Sequence, residues 1–91
     1  MIRVKLEADT VINAIRINGD FFLHPEESLP NIEKNLVGHP VSAGEHELAQ
    51  KIHETLAKER AAFIGVTPED IAGAIIQALQ NMTPIQNDAP V

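Results

Sequence analysis

The sequence contains no cysteine, tryptophan or tyrosine, and only three phenylalanines in its 91 residues. Without cysteine there is no disulfide, no thiolate nucleophile and no soft-metal ligand. That fits a reducing, cytoplasmic setting. Lys and Arg number seven against thirteen acids, for a net charge of −6. A phosphate-binding surface needs clustered bases, so this balance argues against nucleic acid and against an anionic membrane surface. The longest uninterrupted apolar run, Ala61–Ile64, is four residues. It is too short for a membrane span or a signal peptide. The five glycines are scattered and form no phosphate-cradling loop.

The remaining 44% hydrophobic content is that of a globular chain, and the length is that of one small domain. Ile2, Val4, Leu6 and Ala8 alternate with Arg3, Lys5 and Glu7, a period of two that predicts a strand with one wet face. Val11–Asn18 reads as a second, β-branched strand, paired with the first as an antiparallel hairpin. A hairpin alone is not stable in water. Asp20–Leu23 is the extended segment expected to join it, with Gly19 as a bulge or sharp bend.

Three helices follow. Pro25-Glu26-Glu27 suits a first helical turn, but Pro30 lacks an N–H, so regular helix is expected only from about Leu29, ending at Gly38. Ser42-Ala43-Gly44-Glu45 matches a capping box before a helix with Leu48, Ala49, Ile52 and Leu56 on its apolar stripe. Thr67-Pro68-Glu69-Asp70 caps a last helix carrying Ile71, Ile75, Ala78, Leu79 and Met82. The segment from Thr83 to Val91, with two prolines, reads as a disordered tail, which gives one domain over 1–82 and a tail over 83–91. The expected class is α+β, a two- to three-stranded antiparallel sheet with helices on one face. The chain, starting at its own Met1, reads as a complete small protein.

Catalytic signals are weak. His46 and His53 lie seven apart on one predicted helix, not at the four-residue spacing of helical zinc motifs, and read as solvated. The acid pairs Glu26-Glu27 and Glu69-Asp70 fall in first helical turns, where the helix dipole accounts for them. What stands out is Gly19-Asp20-Phe21-Phe22. Strand alternation sends one phenylalanine inward, and the outward one beside Asp20 is a candidate docking anchor.

The run I-x-x-I-R-I-x-G-D-F-F-x-x-P-E-E-x-L, from Ile12 to Leu29, resembles the C-terminal accessory domain of the lipoate–protein ligase family. Ile32-Glu33, Leu36-x-Gly38 and Gly65-Val66-Thr67-Pro68-Glu69-Asp70-Ile71 extend the resemblance over about residues 2–82. It implies a SufE/NifU-like fold, although those relatives carry a cysteine near the bend and this chain has none, which excludes their iron–sulfur chemistry. It also implies the accessory subunit of a two-chain ligase, forming a heterodimer with a catalytic subunit. That subunit would bind ATP, Mg and lipoate, make lipoyl-AMP and pass the lipoyl group to a lysine of a carrier domain. No cofactor, metal or catalytic residue is expected in this chain. The partner-interface candidates are Gly19, Asp20, Phe21, Phe22 and Arg16, with Lys5 and Arg3 as a further basic contact. The alternatives are a regulatory or ligand-binding module of the same fold, and a domain that pairs with its own copy.

Overall fold

The computed structural model describes residues 2–81. The two predicted strands are β1 (Ile2–Ala8) and β2 (Ile12–Gly19), and they form an antiparallel pair. Register runs from Ile2 opposite Gly19 to Glu7 opposite Ala14, then shifts so that Ala8 faces Ile12. Asn13 is thus the extra residue, and the bulge lies there rather than at Gly19. The turn lacks the usual glycine pair, and the Asp9 carboxylate supplies the closure instead. Its Oδ1 accepts the Val11 N–H at 3.2 Å, while the Asp9 N–H reaches the Val11 carbonyl at 3.1 Å. The backbone N–H groups of Val11 and then Thr10 hold the Asp9 carboxyl below its ordinary range.

The expected third strand forms, but not on this hairpin. β3 (Phe22–His24) pairs antiparallel with β4 (Ala62–Ile64), a strand the sequence pattern does not reveal. The α+β class holds, with two two-stranded sheets in place of one. The partner segment arrives because α2 (Glu45–Glu59) ends in a left-handed residue, Arg60, with φ of 53°. The Arg60 and Ala61 N–H groups then bond back to the carbonyls of Ala57 and Leu56, which turns the chain into β4.

α1 (Ser28–Leu36) begins where Pro30 occupies its first turn, a position whose N–H has no helical partner in any case. After it, Gly38 adopts φ of +89°, open to glycine at little cost, and the chain runs back along β2. There the Gly38 N–H meets the Ile12 carbonyl at 2.7 Å, and the Ile12 N–H meets the His39 carbonyl at 3.0 Å. The capping box expected at Ser42 does not form. Ala43 closes a turn on the Pro40 carbonyl, so the helix starts later and Gly44 is the N-cap of α2. α3 (Pro68–Asn81) does carry a reciprocal cap: Thr67 Oγ1 accepts the Asp70 N–H and Asp70 Oδ2 accepts the Thr67 N–H, both at 3.0 Å.

α1 and α3 meet the sheets on their apolar sides. α1 packs on β2 and touches β3, α3 packs on β1, and α2 lies across both helices. The fully buried side chains are Ile12, Ile32, Leu36, Leu48, Ile52, Ile71 and Ile75, together with Ser28. Ala72 joins this core without having been legible as part of the stripe. At about 25 cal/mol per Å² of apolar surface removed from water, each large aliphatic in this set stabilises the fold by roughly 1.5–3 kcal/mol. Met82 and the tail expected over 83–91 lie outside the described residues.

A polar seam runs between α1 and α2. Asn31 Nδ2 donates to Glu59 Oε1 at 2.9 Å, buried Ser28 Oγ donates to the same oxygen at 3.4 Å, and Asn35 Nδ2 donates to Thr55 Oγ1 at 3.1 Å. On the other side of α1, Glu33 Oε2 accepts the Ile17 N–H at 2.7 Å. These side chains fix the rotation of α1 between the first sheet and α2.

Candidate functional site

The Gly19–Phe22 segment lies where the first sheet hands over to the second. Gly19 ends β2 opposite Ile2, the chain bends at Asp20, and Phe22 opens β3. The two phenylalanines separate. Phe21 is half-buried and meets Phe63 edge-to-face, ring centroids 5.6 Å apart at 80°. Phe22 is 73% exposed. Its cross-strand partner is Ile64, 60% exposed, so strand pairing puts two large apolar side chains side by side on the wet face of the ribbon. Leu23 and Phe63, also cross-strand partners, occupy the inward face.

The ribbon is held close to the bend by Gly65. Its φ is +97°, and a Cβ there would lie 3.7 Å from the Asp20 carbonyl oxygen and 3.8 Å from Phe21 Cα. Space is therefore adequate, and the backbone conformation is what calls for glycine.

Arg16 does not belong to this face. It lies exposed on the outer surface of the first sheet, directly opposite Lys5, with Arg3 opposite Asn18 as the next pair. Gly19, Asp20 and Phe22 are thus one group, Phe21 serves packing, and Arg16 belongs to a second, cationic surface. Ile64 is the residue that sequence reading misses. Its signal would have been the β-branched Ile64 before Gly65 and Val66, too short a run to separate from the end of a helix.

The histidines are dispersed. His24 lies exposed on β3 and His46 is exposed on α2. His39 Nε2 is buried without a hydrogen-bond partner. His53 Nε2 sits 2.9 Å from Glu69 Oε2, joining α2 to α3 at the surface and holding the Glu69 carboxyl below its ordinary range. Among the described residues no three His, Asp or Glu side chains gather as metal ligands, and no helix is long and apolar enough to cross a membrane.

Among the described residues the features that stand out are the exposed Phe22–Ile64 pair and the Arg3, Lys5 and Arg16 row. No protein-family model matches the sequence, and no curated protein matches it significantly. Among solved structures, the chain is similar to one from an archaeal lipoylation system of Thermoplasma acidophilum, described as a bipartite lipoate protein ligase and its E2 lipoyl domain. Identity is 33%, the TM-score is 0.67, and the match covers 81% of this chain and 80% of that one. The fold defines a small α+β domain. The chain belongs to the same family as that lipoylation-system component.

Proposed function

We propose that this chain is the accessory, non-catalytic subunit of a two-chain lipoate–protein ligase. The observation that carries this reading is the likeness, at 33% identity over four-fifths of both chains, to a component of a system whose ligase is bipartite. Its cytoplasmic heterodimer partner would be the catalytic subunit, which binds ATP, Mg and lipoate and forms the adenylate. This chain supplies no phosphate loop and no thiol. Its part is to order the catalytic chain around the activated acyl group, by positioning and exclusion of water. The lysines support a modifying rather than a modified role. Lys5 lies mid-strand and Lys34, Lys51 and Lys58 lie on helices, none at a loop tip where an enzyme would reach a substrate lysine. The docking face is the Phe22–Ile64 pair beside Gly19 and Asp20.

The test measures lipoyl-AMP formation by the catalytic chain with and without this protein. Phe22→Ser and Ile64→Ser are the informative variants, because both side chains are exposed and each should change stability by less than about 0.5 kcal/mol. Phe21→Ala is a poor probe, since it removes the edge-to-face contact with Phe63. Adenylation that requires the wild-type chain, with binding weakened by about tenfold or more in the Phe22 variant, supports the reading; a loss of ~1.4 kcal/mol is that factor. Equal adenylation without this chain overturns it.

A further inference from the structure

We infer that the outer edge of β1 is a docking strip for an extended, acidic protein segment that adds to the sheet as a third strand. This inference rests on the first sheet and its groove with α3, and stands apart from the ligase reading.

The direction of the backbone groups comes first. The Ile17 N–H points away from β1, because Glu33 takes it. Ile17 faces Val4, so that pair belongs to the wide, non-bonded positions of the antiparallel ladder. Alternation then sends the N–H and C=O groups of Val4 and Leu6 outward from the hairpin, while Arg3, Lys5 and Glu7 bond to β2. Among the described residues no strand pairs with that outer edge. β1 is seven residues long and straight in register from Ile2 to Glu7, the length and regularity that strand addition uses.

The two faces of the strip differ. On the inner side, an open groove of about 640 Å³ runs between β1 and α3. Half-buried Val4 and Leu6 line one wall, and Ala74 and Ala78, one helical turn apart, line the other. A strand laid on the edge would direct alternate side chains into this groove, where the two alanines leave room for aliphatic groups. On the outer side, the exposed row holds Arg3, Lys5 and Arg16 against Glu7 alone. Lys5 and Arg16 are direct cross-strand partners of like charge, a destabilising arrangement unless an anion lies beside it. Three of the seven basic residues of a chain of net charge −6 are therefore gathered on this face.

An incoming strand with acids opposite Arg3 and Lys5, and aliphatics between them, satisfies both faces. Charge also disfavours a second copy of this chain. Full antiparallel overlap of two β1 strands would centre on Lys5 and align Arg16, Lys5 and their two counterparts in one row. Edge cations repel basic strands and would be desolvated without a partner by neutral ones, so they favour the acidic one.

The experiment follows individual amides by hydrogen exchange in the full-length protein. The probe is a blocked seven-residue peptide alternating valine and glutamate. The expected result is slowed exchange at Val4 and Leu6, with no change at Lys5, which already bonds to β2. Methylating the peptide nitrogens that face β1 should abolish the effect, and so should lysine in place of glutamate. Lys5→Glu, at an exposed site opposite Arg16 and hence compatible with the fold, should weaken binding by roughly tenfold. Arg16→Glu should act in the same direction and serves as the second variant. Protection of Val4 and Leu6 already present in the free protein would overturn the inference, since another segment or copy would then hold the edge. So would equal binding of the lysine peptide, or protection confined to β3 and β4.

Discussion

Removing the Glu33 carboxylate should loosen α1 from the hairpin by a predictable amount. Its Oε2 accepts the Ile17 N–H at 2.7 Å, and Ile17 itself is buried. Hydrogen bonds to a charged partner stabilise by about 1.5–3 kcal/mol, and an abandoned buried donor costs about 1–3 kcal/mol. Glu33 is only part-buried, so water can reach the freed N–H in Glu33→Ala. The lower half of that range applies, about 1–2 kcal/mol. Helix propensity offsets a few tenths of it, since alanine is the better helix former. Glu33→Gln keeps a side-chain carbonyl in place and loses only charge assistance, which roughly doubles such bonds, so its loss should be about half as large.

Urea denaturation reads these differences directly. The midpoint should fall in the order wild type, Gln, Ala, with an unchanged m-value. For a domain of this size 1 kcal/mol corresponds to about 4–8 °C in Tm. Amide exchange at Ile17 should accelerate in the alanine variant. If Glu33→Ala melts with wild type, or if Gln is as damaging as Ala, the carboxylate does not anchor β2, and the assignment of outward-facing groups on β1 weakens with it.

Two further outcomes are expected. Gly65→Ala should cost about 1–3 kcal/mol in a thermal melt although its Cβ meets no atom closer than 3.7 Å, because the +97° φ alone is unfavourable to a side chain; a neutral result would show that the backbone relaxes there. The His53 hydrogen bond lowers the Glu69 carboxyl from the ordinary 4.5, so its small surface contribution is present above that pH and is lost as pH falls through the lower folded value. Wild type should accordingly lose more stability than Glu69→Gln on acidification below about 4.5, and parallel pH profiles would refute the coupling.

The parts legible in the sequence are those whose signal is local. Alternation along Ile2–Ala8 reproduces the observed burial residue by residue, and Thr67-Pro68-Glu69-Asp70 caps α3 as its pattern says. Ser42 satisfied the same kind of pattern and failed, because the turn closed on Pro40 delays the helix until Glu45. β4 was hidden for a different reason. Three residues carry no period, and their strand character exists only through pairing with Phe22–His24, some forty positions earlier. Phe22 was therefore identifiable as a candidate and Ile64 was not, although the structure makes them one patch. The seam of Ser28, Asn31 and Asn35 was spaced for one helix face, yet their partners, Glu59 and Thr55, come from another helix.

The placement of the aromatics bears on why this face is exposed at all. A chain of 91 residues has little apolar material to spare, and this one has only three phenylalanines. Phe21 and Phe63 are spent on one contact beneath the ribbon, and they meet there in the geometry that adds stability beyond area alone. Phe22, one residue from an inward position, is kept outside by strand alternation and is met there by Ile64. A one-residue slip would bury Phe22, but it would also turn Leu23 out of the core and unmake the Phe21–Phe63 pair. The register that seals the core is thus the same register that presents the patch. Folding alone explains why the ribbon holds that register; it does not call for large apolar groups at Phe22 and Ile64, where polar residues would pair as well. A binding partner would call for them, and that is what the accessory-subunit proposal asks of this face.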